Sequence, residues 1–186
     1  MEGHISHAMA FATVISEPPA RALDLGAGGG LPGLVLAVNT WPATQWAFVD
    51  AQTKRMDFLT EACEELGLSE RVGIVNDRAE VVARDDAHRG QYDLVVARSF
   101  GSPAVTAECA APLLRIGGCL VVSEPPSTLV ADRWPPSGTG EFGFSAAVGH
   151  VVHGETPTHL AVLVLERPVP ERYPRRVGIP TKRPRF

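Results

Sequence analysis

Leu23-Asp24-Leu25-Gly26-Ala27-Gly28-Gly29-Gly30-Leu31-Pro32-Gly33 sets an acid two residues ahead of a run of glycines. The apolar residues around Asp24 predict a strand and the glycines a tight turn. Pro32 predicts the first turn of a helix, where a missing N–H costs no hydrogen bond. Glycines accept positive φ and let a ligand approach the backbone closely. A carboxylate beside such a loop repels a pyrophosphate and attracts an ammonium group, directly or through water. That chemistry suits S-adenosylmethionine (SAM), with Asp24, Gly26, Gly28 and Gly30 among its binding residues. Gly28 to Gly33 also satisfies G-x-G-x-x-G, and Asp50 closes the next apolar run. NAD is therefore the competing ligand, and a glycine turn with a purely structural role is the third reading.

Three more positions carry chemistry. Asp50 ends an apolar run, where a carboxylate can accept both hydroxyls of a ribose; alternatively it is an acid at a helix start. Ala79 and Glu80 follow another such run, where a backbone amide and carbonyl can address an adenine edge; Glu80 also reads as a helix-start charge. Arg98 follows Leu94-Val95-Val96-Ala97 and is expected to project from a strand end into the cleft. There it can pair with a carboxylate, a phosphate or a base, or form a structural ion pair. His4 and His7 have the i, i+3 spacing of a metal pair but no identifiable third ligand, so no metal site is expected. No nucleophile and base stand at a supporting spacing.

These groups need a scaffold that gathers strand ends. His4 to Ile15 has helical apolar spacing. Strands are expected at Ala22 to Leu25, Trp46 to Val49, Val72 to Val75, Tyr92 to Ala97 and Cys119 to Val122, the last entered through a Gly117-Gly118 turn. Helices are expected from Pro32 through Leu34 to Val38, from a Thr53 cap to Leu66, and from Pro103 to Leu114. This alternation implies a parallel sheet with helices on both faces, the α/β Rossmann-like class. Val148 to Val152 and Leu160 to Leu165 have no helix pattern between them and read as an antiparallel hairpin. Such an ending resembles that of class I SAM-dependent methyltransferases, whereas an NAD domain usually adds another parallel strand. Pro125 to Gly143 is rich in proline and glycine and reads as loop.

The 186 residues suit one domain: an N-terminal helix at 1–19, a core at 20–167 and a basic, proline-rich tail at 168–186. Formal charge is −4, which gives no general attraction to nucleic acid. The last sixteen residues, however, carry Arg172, Arg175, Arg176, Lys182, Arg183 and Arg185 against one acid. Basic charge on an acidic body suits an anionic partner such as RNA, or reads as a solvated tail. Cys63, Cys109 and Cys119 sit in apolar surroundings without C-x-x-C, as in a reducing cytosol. No stretch has the length of a membrane span and no basic region precedes an apolar run, so a cytoplasmic monomer is expected.

The chain resembles the glucose-inhibited division protein B family of methyltransferases, which act on guanine N7 of small-subunit ribosomal RNA. The resemblance runs from His4 to about Val122 and includes the tail. It rests on the helix at His4, LDLGAGGGLPG at 23–33, DAQTKRMDFL at 50–59, RAE at 78–80, ARSF at 97–100 and YPRRVGIPTKRP at 173–184. It implies SAM as cofactor. It places Gly26, Leu31, Ala79, Glu80 and Arg98 on cofactor-contact positions and Asp50 on the ribose position. Read from its chemistry, Arg98 can orient either the cofactor carboxylate or the acceptor nucleotide, and the sequence leaves both open. Family members usually carry more N-terminal helices, whereas about twenty residues precede the first strand here. They also tend to place Lys-Gly after the fifth strand, where this chain has Glu124-Pro125. Glu124 is expected to repel an RNA phosphate, which leaves a small-molecule or other acceptor as the alternative. The tail is expected to run extended, anchored by Tyr173 or Ile179, facing RNA and contributing little to cofactor binding.

Overall fold

The protein is described here by a computed structural model covering residues 2–126, 129–154 and 156–186. The elements in order are α1 (Glu2–Ala10), β1 (Arg21–Leu25), α2 (Gly33–Asn39), β2 (Gln45–Val49), α3 (Thr53–Glu65), β3 (Val72–Val75), α4 (Ala79–Val82) and β4 (Tyr92–Ala97). They continue with α5 (Pro103–Ala110), β5 (Leu114–Glu124), α6 (Val130–Arg133), α7 (Pro136–Thr139), β6 (Val148–Val152), β7 (Thr158–Val164) and α8 (Ile179–Lys182).

Among the described residues, seven strands form one sheet in the order β3-β2-β1-β4-β5-β7-β6. The first five are parallel, and β7 runs antiparallel to both β5 and β6. This is the class I methyltransferase fold, and the antiparallel edge agrees with the expected hairpin. Burial explains why β7 lies inside and β6 at the edge. Leu160, Ala161 and Leu163 of β7 are fully buried, whereas Val148 and Val151 of β6 face solvent.

Side chains alternate across the sheet. Leu23, Leu25, Val95 and Ala97 join one core with Trp134, Phe142 and Tyr173. Ala22, Phe48, Leu94 and Val96 join a second with Phe11, Leu36 and Leu59 from the N-terminal turn, α2 and α3. Asp24 pairs in register with Val96. Asp24 and Arg98, two residues beyond Val96, therefore share the parity of the second core.

The structure departs from the sequence pattern in several places. The helix expected from Pro103 to Leu114 stops at Ala110, tightens to a 3₁₀ turn at Ala111–Leu113, and Leu114 opens β5. The N-terminal helix tightens to a 3₁₀ turn at Phe11–Val14. Gln52, not Thr53, caps α3, and the Thr53 hydroxyl bonds Asn76 instead. Gly117 and Gly118 lie within β5 rather than turning into it, because a register shift between Tyr92 and Leu94 absorbs them as a bulge. Lastly, 125–143 is not wholly loop. It holds α6, α7 and a 3₁₀ turn at Gly140–Phe142, anchored by the buried Trp134 and Phe142. Positions 127 and 128 of that stretch, and 155 in the hairpin loop, lie outside the described residues.

Candidate active site

The carboxyl ends of β1 to β4 open onto a cavity of about 530 Å³. Its wall includes Gly26, Asp50, Arg55, Ala79, Glu80 and Phe100. A crevice at the carboxyl ends of a doubly wound sheet is where such folds bind ligands.

The glycine loop is tied to β2 rather than left free. The amides of Gly26 and Ala27 both donate to the Val49 carbonyl, at 2.8 and 2.9 Å. The Gly28 amide donates to Asp50 Oδ2 at 3.1 Å, and Asp50 Oδ1 accepts from the Gln52 amide at 2.9 Å. Arg55 Nη1 stands 3.4 Å from the same carboxylate. Asp50 thus holds the loop to the start of α3; Oδ2 has two protein donors, while Oδ1 has one and keeps a lone pair for another. Gly26 has φ +75°, and a Cβ there would lie 2.7 Å from the Phe100 ring. Phe100 follows Ser99, whose φ of 56° is left-handed for a residue with a side chain. Such backbone is costly and clusters at functional sites.

Asp24 does not line the cavity. It is fully buried beneath the loop, where Oδ2 accepts the Gly33 amide at 2.7 Å and so caps α2 from β1. A Cβ on Gly33 would come within 2.6 Å of that oxygen, so the position admits only glycine without a shift. Oδ1 is buried with no protein partner. Burial raises the Asp24 pKa to about 7. The neighbouring Asp50 charge pushes it the same way, while the Gly33 amide and Arg98 oppose the shift.

Arg98 stands outside the cavity wall, toward α1. Its Nη2 lies 3.2 Å from His4 Nδ1, and its Nη1 is buried without a partner. Burial, then Arg98, then His4 lower the pKa of His7 on the same helix. The two histidines therefore belong to the surroundings of a guanidinium, and no metal-binding cluster exists among the described residues.

Of the expected site residues, Gly26, Asp50, Ala79 and Glu80 meet in the cavity wall, while Asp24, Gly28, Gly30, Leu31 and Arg98 do not line it. Ala79 and Glu80 open α4, so their amides precede the first intrahelical bonds. The Glu80 side chain turns elsewhere, with Oε1 accepting the Gly178 amide at 2.8 Å. Several wall residues have no individual signal in the sequence: Ser102, Val105 and Cys109 around α5, and Thr181 of α8. Burial pushes the Cys109 thiol well above its usual range, so it serves as wall and not as nucleophile.

Two expectations are corrected. Glu124 does not face outward as a bare repelling charge. Its side chain is 1% exposed, pairs with Arg133 Nε, and accepts from Trp134 Nε1 at 2.9 Å. Desolvating a carboxylate requires such partners, and α6 supplies them. The tail, moreover, is not merely extended over the surface. Tyr173 is buried against Phe142 at 4.8 Å and donates to Glu141, as anticipated for an anchor, whereas Ile179 opens the short helix α8. Arg175 and Arg185 pair with Glu108 and Glu141. Arg172, Arg176, Lys182 and Arg183 remain exposed.

A second cavity, of about 310 Å³, shares Ser99, Phe100 and Gly101 with the first and is bounded beyond them by Glu124, Arg133 and Trp134. The two cavities meet where β4 ends.

The family model of GidB, rRNA small subunit methyltransferase G, matches residues 1–124. Ribosomal RNA small subunit methyltransferase G of Rubrobacter xylanophilus is 38% identical over 176 residues, 88% of this chain and 64% of that protein. Its counterpart in Deinococcus radiodurans is 39% identical over 178 residues, 89% of this chain and 66% of that protein. The chain thus spans about two thirds of the length of these relatives. A methyltransferase from Pyrococcus furiosus shares the fold with a TM-score of 0.68 at 14% identity, over 88% of this chain and 83% of that one.

Proposed function

Since the chain belongs to the GidB family of rRNA small subunit methyltransferase G, we propose that it methylates guanine N7 of small-subunit ribosomal RNA with SAM as cofactor. One observation carries the cofactor assignment. Asp24 Oδ1 and Arg98 Nη1 are buried, unmatched and opposite in charge character, and both lie on the α1 side of the glycine loop. Orphaned buried groups are costly unless a ligand completes them. The α-ammonium and α-carboxylate of a methionine moiety would complete both, and the nicotinamide end of NAD carries no such pair.

The other residues fit the same cofactor. Asp50 accepts the ribose hydroxyls, and the amides of Ala79 and Glu80 address the adenine. When bound, SAM supplies an electrophilic methyl carbon on a positively charged sulfur. Guanine N7 has a lone pair and no proton, so no residue has to act as base, in keeping with the lack of an evident one. The chain's contribution is alignment, which is worth about 7–11 kcal/mol when reacting atoms are well held. The acceptor base enters the second cavity, where Phe100 and the paired Arg133–Glu124 bound it. Arg176, Lys182 and Arg183 reach for RNA phosphate.

The test is incubation of the protein with methyl-labelled SAM and small-subunit RNA lacking the modification, followed by mass spectrometry of the nucleosides. Labelled 7-methylguanosine is expected. Cofactor binding without label in RNA would move the acceptor to another molecule. Asp50→Ala should weaken binding of the demethylated product, S-adenosylhomocysteine, by about 1–3 kcal/mol in calorimetric titration, the scale of hydrogen bonds to a charged group. Unchanged affinity would remove Asp50 from the site. The double variant Lys182→Ala, Arg183→Ala should flatten the salt dependence of RNA binding by a slope of roughly 1.4, about 0.7 per lost single-strand phosphate contact. An unchanged slope would place the RNA elsewhere.

A further inference from the structure

Glu80 is among the few buried acids, and its carboxylate is directed at the chain's own last segment instead of the cavity. Oε1 accepts the Gly178 amide at 2.8 Å, and Oε2 lies 3.5 Å from Arg78 Nε. Gly178 has φ +78° and caps α8, turning the chain so that Thr181, three residues on, stands in the cavity wall. We propose that residues 173–186 form a strap that completes the purine end of the cofactor cavity through Thr181, with Glu80 as the latch holding it there. The inference rests on the SAM reading above.

The strap is fastened on both sides of the latch. Arg175 grips Glu108 of α5 through Nε and Nη2, at 2.8 and 2.6 Å, and its amide donates to the same carboxylate. Arg89 donates to the Tyr173 carbonyl at 3.0 Å, and Arg84 to that of Pro174. Pro180 is buried. These contacts fix α8 along α5, beside Val105 and Cys109. The resulting slot has apolar walls in Ala79, Val105 and Cys109, and the Thr181 hydroxyl joins those of Ser99 and Ser102 in the cavity wall. A flat heteroaromatic ring with ring nitrogens and an exocyclic amine suits it, since a hydroxyl both donates and accepts. Asp50 lies at the ribose side of the same cavity. The strap thus acts on the nucleoside half of the ligand and leaves the amino-acid half to Asp24 and Arg98.

Calorimetric titration with two ligands tests this. S-adenosylhomocysteine carries both halves, and 5′-methylthioadenosine carries only the nucleoside. Thr181→Val, which keeps the shape and removes the hydroxyl, should weaken both ligands by the same factor, about three- to tenfold. Glu80→Ala should weaken both by about tenfold or more and speed hydrogen exchange of the amides of 176–183. 5′-Methylthioadenosine should slow that exchange in the unaltered protein. Arg115→Ala, at the exposed pair with Asp93 outside both strap and cavity, should leave both affinities unchanged. Thr181→Val binding both ligands with full affinity, or exchange in the strap indifferent to 5′-methylthioadenosine, overturns the proposal even if Glu80→Ala fails to fold. Unaltered protein that binds neither ligand overturns the SAM reading and the strap's role with it, whereas normal binding that the variants do not change sinks only the strap.

Discussion

Arg175→Met is expected to destabilise the fold by about 3–5 kcal/mol, read as the shift of a urea unfolding curve. Glu108 is 1% exposed at its side chain, and the Arg175 guanidinium meets both of its oxygens. Removing the cation leaves a charged carboxylate inside α5 with only the backbone amide of residue 175 as partner. The attraction itself is not what the number measures, since a buried pair repays its own desolvation only with good geometry. The double variant Glu108→Leu, Arg175→Met should therefore recover most of the loss. A single variant within 1 kcal/mol of the unaltered protein would show that water reaches Glu108 and that the strap is not sealed there.

Asp24 gives the second large effect, in the dependence of stability on pH. Its folded pKa is raised from 3.8 to about 7, chiefly by burial. Between those values the folded protein holds a proton that the unfolded chain has released, so stability falls as pH rises. Its contribution is fully present below about pH 4 and lost as pH passes through 7. About three units at 1.36 kcal/mol each amount to roughly 4 kcal/mol. Asp24→Asn stays neutral throughout, so its stability relative to the unaltered protein should grow by about that amount from pH 4 to 8. His7 works in the opposite direction, because its lowered pKa favours the folded state as pH rises through 6.5. It is present in both proteins and cancels in the difference. Saturating S-adenosylhomocysteine should reduce the pH slope of the unaltered protein, since an ammonium beside Oδ1 favours the ionised carboxylate. A difference that stays flat with pH would mean that water solvates Asp24.

Most of the scaffold was legible in the sequence because each buried parallel strand is a short apolar run closed by a polar residue at the ligand edge. Asp24, Asp50 and Arg98 could be picked out from that local pattern alone, as could the terminal hairpin from the lack of a helix between its halves. The glycines and Pro32 marked the loop because backbone geometry there is a property of residue type. Local pattern could not say where the side chains point. Arg98 leaves its strand with the parity of Val96 and so turns toward α1 and His4 rather than into the cavity wall. Glu124 reads as an exposed acid until Arg133 and Trp134, nine and ten residues on, fold back to neutralise it. Thr181 and Glu80, about a hundred residues apart, both line the cavity but have no common signal, because contacts between distant segments, such as the Gly178 amide on Glu80, bring them there. Residue type and period thus determined the sheet and the loop. The pairing of buried charges, which rests on desolvation and on contacts between distant segments, was decided only by the tertiary structure.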